Sequence, residues 1–234
     1  MSDLLPSLRA LTPARIALGR AGSALPTRAH LDFQLAHARA RDAVHMALDV
    51  SAFRQRLPGD TIAVRSAVAD RAEYLKRPDL GRRLDPASVP LVGPGNGDNF
   101  ACLVIADGLS ALAVDRHAPG VVALLVPALV ADGWRVAPIV IVEHGRVAIG
   151  DEIGARCGAT AVVVLIGERP GLSAPDSLGA YFTFAPRVGR TDAERNCVSN
   201  IRPEGLALDR AAAQLAWLFA ESRQRRVSGL ALKP

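Results

Sequence analysis

Ala101-Cys102-Leu103-Val104-Ile105-Ala106, followed at once by Asp107-Gly108-Leu109-Ser110, is the stretch on which the fold turns. The apolar run is too short for an ordinary helix and lacks the alternation of a strand wetted on one face. It reads as a strand buried on both faces. Two further runs of this kind follow, Ala137-Pro138-Ile139-Val140-Ile141-Val142 and Ala161-Val162-Val163-Val164-Leu165-Ile166, with Ala180-Tyr181-Phe182-Thr183-Phe184 as a fourth strand. Between them residues 109–131 and 149–157 read as helices. Residues 207–226 read as a closing helix with Leu215, Leu218 and Phe219 on its apolar side. Strand alternating with helix predicts an α/β fold: a Rossmann-like parallel sheet with helices on both faces.

Upstream, Val92-Gly93-Pro94-Gly95-Asn96-Gly97-Asp98 is the clearest linker in the chain. It divides an N-terminal helical, basic region, residues 1–91, from the α/β domain, residues 98–234. Residues 27–48 predict a helix capped by Thr27, with Phe33, Ala36, Ala40, Ala43, Val44 and Ala47 recurring at spacings of three and four. His37, Arg41 and His45 fall on its opposite face. Leu57-Pro58-Gly59-Asp60 is a turn, and a second helix is expected over residues 61–76.

The composition narrows the function classes. Of 234 residues half are apolar and 22% charged, which excludes a disordered chain. No apolar run approaches the roughly 18 residues of a bilayer crossing, and the start of the chain lacks the pattern of a signal peptide. Cys102, Cys157 and Cys197 are odd in number and far apart, so neither a disulfide framework nor a zinc knuckle is expected. The net charge of +5 lies wholly in the first 90 residues, which carry 14 basic and 9 acidic side chains against 14 of each in the remainder. Only Lys76 and Lys233 are lysines among the 28 basic residues. An aromatic content of 4% leaves few platforms for stacking bases, which argues against nucleic-acid binding.

In open parallel sheets ligands sit outside the carboxyl ends of the strands. Those ends carry Asp107, Glu143 and Glu168. Three carboxylates are a poor cradle for phosphate, and the glycine-rich 93–97 stretch precedes its strand instead of following it. The acidic rim suits amide N–H donors, hydroxyls or cations, although each carboxylate can also serve only to cap the next helix. Asp115-Arg116-His117-Ala118-Pro119-Gly120 matches D-x-H-x-x-G, the pattern by which some cobalamin domains supply a histidine to cobalt. Here it falls within a helix instead of the loop after the first strand, so His117 reads as a helix-surface or interface residue. The five histidines form no HExxH, there is no G-x-S-x-G elbow, and Cys197 has no histidine nearby in sequence. No catalytic machinery of the chain's own emerges.

The order of segments carries a resemblance. Arg15-Ile16-Ala17-Leu18-Gly19-Arg20-Ala21-Gly22 is followed by Tyr74-Leu75-Lys76-Arg77-Pro78-Asp79-Leu80-Gly81-Arg82-Arg83-Leu84. Then come Asp107-Gly108-Leu109-Ser110, Gly167-Glu168-Arg169-Pro170-Gly171-Leu172 and Cys197-Val198-Ser199-Asn200-Ile201. Together, from about residue 12 to about residue 230, the chain resembles the ethanolamine ammonia-lyase small subunit, or light chain.

The resemblance implies an adenosylcobalamin enzyme, a carbon–nitrogen lyase. The small subunit covers the cofactor at the interface with a large catalytic subunit, several such heterodimers assemble together, and an adenosyl radical drives ethanolamine to acetaldehyde and ammonia. By position it assigns cofactor contacts to Val147, Glu168 and Cys197, and geometry adds Asp107. It makes the basic first 90 residues a subunit-contact region, with Arg77, Arg82 and Arg83 as candidates. It also implies the bacterial cytoplasm, within a microcompartment where the organism makes one. The chain departs from the family pattern by one residue fewer between Glu168 and Cys197 and by a short N-terminus, the latter favouring free cytoplasm. The rival readings are a stand-alone nucleotide-binding Rossmann-like enzyme and a purely structural partner.

Overall fold

The computed structural model of the chain describes residues 14–95 and 98–232 together with Leu8, Leu11 and Thr12, so Asn96 and Gly97 of the expected linker lie outside the described residues. The elements run α1 (Thr27–His45), α2 (Val50–Arg54), β1 (Thr61–Arg65), α3 (Arg71–Lys76), β2 (Phe100–Ala106), α4 (Ala111–Ala131), β3 (Arg135–Val136), β4 (Ile139–Glu143), α5 (Ile149–Arg156), β5 (Ala161–Gly167), β6 (Leu178–Phe184), β7 (Asn196–Ile201) and α6 (Leu208–Arg225). Seven strands make one sheet in the order β1-β4-β2-β5-β6-β7, with the short β3 beside the start of β2.

The sheet is mixed, which corrects the expectation of a parallel Rossmann-like sheet. β1, β4, β2 and β5 run parallel, whereas β6 runs antiparallel to β5, and β7 antiparallel to β6. The reason is length: a parallel return needs a crossover of roughly a dozen residues or more. Only residues 168–177 separate β5 from β6, so the chain turns straight back. A second correction concerns residues 61–65, which form a strand and not the start of a helix. Thr61, Ile62 and Val64 are β-branched and favour the pleated state. Helix begins only at α3, where the Asp70 carboxylate accepts from the Glu73 amide. Thr27 does not cap α1, because Pro26 holds the capping position. Three strands, β1, β3 and β7, go beyond the four predicted.

Handedness explains why both faces of the sheet are covered. α4 carries the chain from β2 outward to β4, and α5 carries it back across β2 to β5. Right-handed crossovers of opposite sense fall on opposite faces. On one face Leu103, Ile105, Val163 and Leu165 meet Val121 and Leu125 of α4 and Leu215 and Phe219 of α6. On the other Cys102, Val104, Val162 and Val164 meet Ile149 and Ile153 of α5, with Leu84 and Val92 beside them. This is why the strand sequences are continuously apolar. Among the described residues α4 is the one helix long and apolar enough to cross a membrane by length and composition. Ten of its residues are buried within this fold.

α1 is different. Only Ala43 of its residues is buried, while Leu31, Phe33 and Leu35 remain 56%, 40% and 51% exposed. Among the described residues this helix finds no core of its own.

Candidate functional site

β2 and β4 are neighbours whose chains leave in opposite directions, so a crevice opens at their carboxyl ends. A hollow of about 410 Å³ lies over this rim, lined by Tyr74, Leu109, Arg146, Val147, Ile166, Gly167, Glu168, Arg169 and Tyr181. Val147, in the loop after β4, and Glu168, just past β5, therefore share one wall. Cys197 lies directly opposite Tyr181 in the β6–β7 pairing and is exposed beside the hollow. It lines the neighbouring groove with Val198 and Trp217. Asp107 stands behind the lining, its side chain only 5% exposed.

Glu168 is held on several sides. Its Oε2 accepts from the Ser177 hydroxyl and, at 3.3 Å, from the Asn200 amide. The Glu168 amide donates to the Ser177 carbonyl at 2.9 Å. A Cβ at Gly179 would lie 2.9 Å from Oε1, so the absence of a side chain there gives Glu168 its room. Oε1 has no hydrogen bond among the described residues and remains free to accept.

Beneath this wall lies a buried polar layer. Asp107 Oδ2 is 3.8 Å from Arg71 Nη1 and 3.3 Å from His144 Nδ1. Arg71 donates to the carbonyls of Val44 and Gly108, both at 2.7 Å, tying the end of α1 to the end of β2. Tyr74 is fully buried and donates to the Gly145 carbonyl at 3.1 Å. Burial pushes its phenol up to about 12, against the pull of Arg146. The Arg146 guanidinium sits 4.1 Å over the Tyr74 ring. Arg71 Nη2, Asp107 Oδ1, His144 Nδ1 and Arg146 Nε are buried without a hydrogen-bond partner among the described residues. Buried polar atoms are rarely left so unless water or a ligand completes them.

Partial burial also raises the Cys197 thiol, opposed by the Tyr181 hydroxyl, so Cys197 presents a protonated thiol instead of a thiolate nucleophile. Burial raises the Tyr181 phenol as well. His117 corrects its expectation. It lies within α4, but it is buried, with Nε2 3.5 Å from Asp176 Oδ2. Among the described residues no group of three or more His, Cys, Asp or Glu is placed to hold a metal.

A sequence profile described as the ethanolamine ammonia-lyase light chain matches residues 2–233. The chain is 57% identical to the ethanolamine ammonia-lyase small subunit of Ralstonia nicotianae, over 97% of this chain and 87% of that protein. It is 56% identical to those of Azotobacter vinelandii, over 100% and 92%, and Xanthomonas campestris pv. campestris, over 99% and 88%. The chain belongs to the ethanolamine ammonia-lyase light chain family. Four of the five segments that carried the light-chain resemblance lie far apart in sequence but converge in space. Tyr74, Leu109, Gly167, Glu168 and Arg169 line one hollow, and Cys197 borders it through Tyr181. Tyr74, Arg146, Ser177 and Tyr181 were given no role from the sequence. Tyr74 opens one quoted segment and Arg146 adjoins Val147, but burial is what distinguishes them.

Proposed function

We propose that this chain is the small subunit of an adenosylcobalamin-dependent ethanolamine ammonia-lyase and that its hollow grips one rim of the cobalamin against a large catalytic subunit. The carrying observation is that Val147 and Glu168 share a wall, with Cys197 one strand pairing away from it. The donor set fits the group. A corrin ring is apolar across its edge and fringed by carboxamides that both donate and accept. The hollow offers Val147, Leu109 and Ile166 as apolar contacts, Glu168 Oε1 as acceptor and Arg146 and Arg169 as donors. Its 410 Å³ takes only part of such a ligand, which suits a site completed by a partner chain.

When bound, adenosylcobalamin supplies a cobalt–carbon bond whose homolysis starts radical deamination of ethanolamine to acetaldehyde and ammonia. The residues of this chain bind and orient. Glu168, fixed by Ser177 and Asn200, accepts an amide N–H at Oε1. Val147 and Ile166 exclude water, and the neutral Cys197 thiol and Tyr181 phenol add no charge that would repel the acceptor oxygens of the fringe. Asp107, locked between Arg71 and His144, supports the wall from behind. The exposed face of α1 and the basic residues Arg77 and Arg83 fit a subunit-contact role. We place the assembly, several heterodimers together, in the bacterial cytoplasm, or inside a microcompartment where one is made.

Co-expression with a large subunit tests the reading. Cobalamin absorbance is expected to co-elute with both chains, and Glu168→Ala is expected to weaken its retention and ethanolamine turnover. A complex that retains cobalamin equally well with Glu168 and Cys197 both substituted overturns the site. The nucleotide-binding rival lacks a phosphate loop, because Gly93 and Gly95 precede β2.

A further inference from the structure

A second hollow, of about 420 Å³, adjoins the first, and Arg146 and Val147 line both. Its wall adds Arg82, Arg190 and Arg195, with Asp192 as the lining carboxylate. Two of the four guanidiniums are committed to the fold. Arg195 forks onto Asp151 at 2.7 and 3.0 Å, and Arg190 pairs with Glu194 and caps the Phe184 and Ala185 carbonyls. The other two have capacity to spare. Arg82 is exposed, and its guanidinium has no hydrogen bond or ion pair among the described residues. Arg146 spends Nη2 on the Tyr74 carbonyl at 3.1 Å, while its Nε is buried without a partner. Arg195 Nε, in a side chain only 3% exposed, likewise has no hydrogen bond, with Asp192 Oδ1 3.6 Å away.

We propose that this second hollow holds a phosphate oxyanion, the phosphodiester in the nucleotide tail of cobalamin, with Arg82 and Arg146 as its charged contacts. The assignment rests on the cobalamin reading above. A ligand lying across Val147 passes from an amide-accepting carboxylate at Glu168 to a basic wall at Arg82. Cobalamin joins the same two chemistries: carboxamides round its ring and one phosphodiester in its tail. The charges balance, since two uncommitted guanidiniums face one lining carboxylate and one phosphodiester. Arginine suits that group because its planar fork meets two oxygens at once.

The test uses the complex of both subunits and equilibrium dialysis against two corrinoids, cobalamin and cobinamide, which lacks the nucleotide tail and its phosphate. Arg82→Glu is expected to weaken cobalamin retention on the order of tenfold or more, the scale of one charge-assisted hydrogen bond. Cobinamide retention is expected to stay unchanged, and Arg82→Lys, which keeps the charge but not the fork, to fall between wild type and Arg82→Glu. Equal effects on both corrinoids, or no effect on either, overturn the proposal. A wild-type complex that retains neither corrinoid overturns the cobalamin reading itself, and this inference with it. One that retains cobalamin without any Arg82 dependence overturns the phosphate contact alone.

Discussion

Gly108 and Gly167 pass so close together that neither position tolerates a side chain. A Cβ on Gly108 would sit 2.4 Å from the Gly167 carbonyl oxygen, and one on Gly167 would sit 2.0 Å from that of Ser110. Gly108 also holds a φ of +59°, which L-residues rarely adopt. The loop leaving β2 thus presses on the end of β5, and the floor of the hollow is backbone against backbone. Gly167→Ala is expected to destabilise the chain by about 2–3 kcal/mol, as overpacking against atoms that have no rotamer to escape into. The urea midpoint of the two-subunit complex is the measurement, and an unchanged midpoint contradicts the close approach.

Tyr74 joins the stability of the site to pH. Its buried phenol ionises only near 12, against an ordinary 10.0. A group that holds its proton more tightly when folded contributes stability that is complete below its unfolded value and is lost as pH rises through its folded one. The wild-type protein is therefore expected to lose stability between pH 10 and about 12, and Tyr74→Phe to lack that component. The same variant strips the buried Gly145 carbonyl of its donor, a cost of about 1–3 kcal/mol at neutral pH. A difference titration of phenolate absorbance between the two complexes reads the ionisation directly. A wild-type excess of phenolate near pH 10 would refute the assignment.

Ser177 fixes the one acidic side chain on the wall of the hollow. Ser177→Ala leaves Glu168 Oε2 with only the longer contact from the Asn200 amide, at 3.3 Å. Cobalamin retention by the complex is expected to fall roughly three- to tenfold, the worth of one hydrogen bond that orients a carboxylate. The unfolding free energy should change by no more than about 1 kcal/mol. Equal retention by wild type and variant would mean that Glu168 needs no orienting partner.

The layers of this fold were legible where burial is total. The β2, β4 and β5 runs, whose Leu103 and Val104 face opposite layers, could hardly be anything but strands covered on both sides. The direction of β6 was less visible, because it depends on the ten residues of the 168–177 connection and not on the apolar run itself. Residues 61–65 misled because Ala63 and Arg65 suit a helix as well as a strand, and pairing with β4 decided the matter. Glu168 stood out in sequence as a carboxylate directly after a buried run. Tyr74 and Arg146 did not, since an aromatic–cation stack at 4.1 Å joins residues 72 positions apart and leaves no local pattern.

α1 gives the last prediction. Its Leu31 and Leu35 lie 56% and 51% exposed, with Phe33 at 40% between them. Exposed apolar residues clustered on one helix mark a surface that another chain covers. The neighbouring basic residues suit an acidic or mixed partner face. Because neither leucine packs in this chain's own core, Leu31→Ser with Leu35→Ser is expected to change its intrinsic stability by no more than about 0.5 kcal/mol per site. Assembly is where the loss should fall. At low protein concentration the variant should dissociate from the large subunit on gel filtration while the wild type stays bound. Cobalamin retention should fall in step with dissociation, since the hollow is too small to hold the cofactor alone. A variant that assembles and retains cobalamin as the wild type does would remove α1 from the subunit interface. An unfolded variant would show instead that these leucines serve the fold.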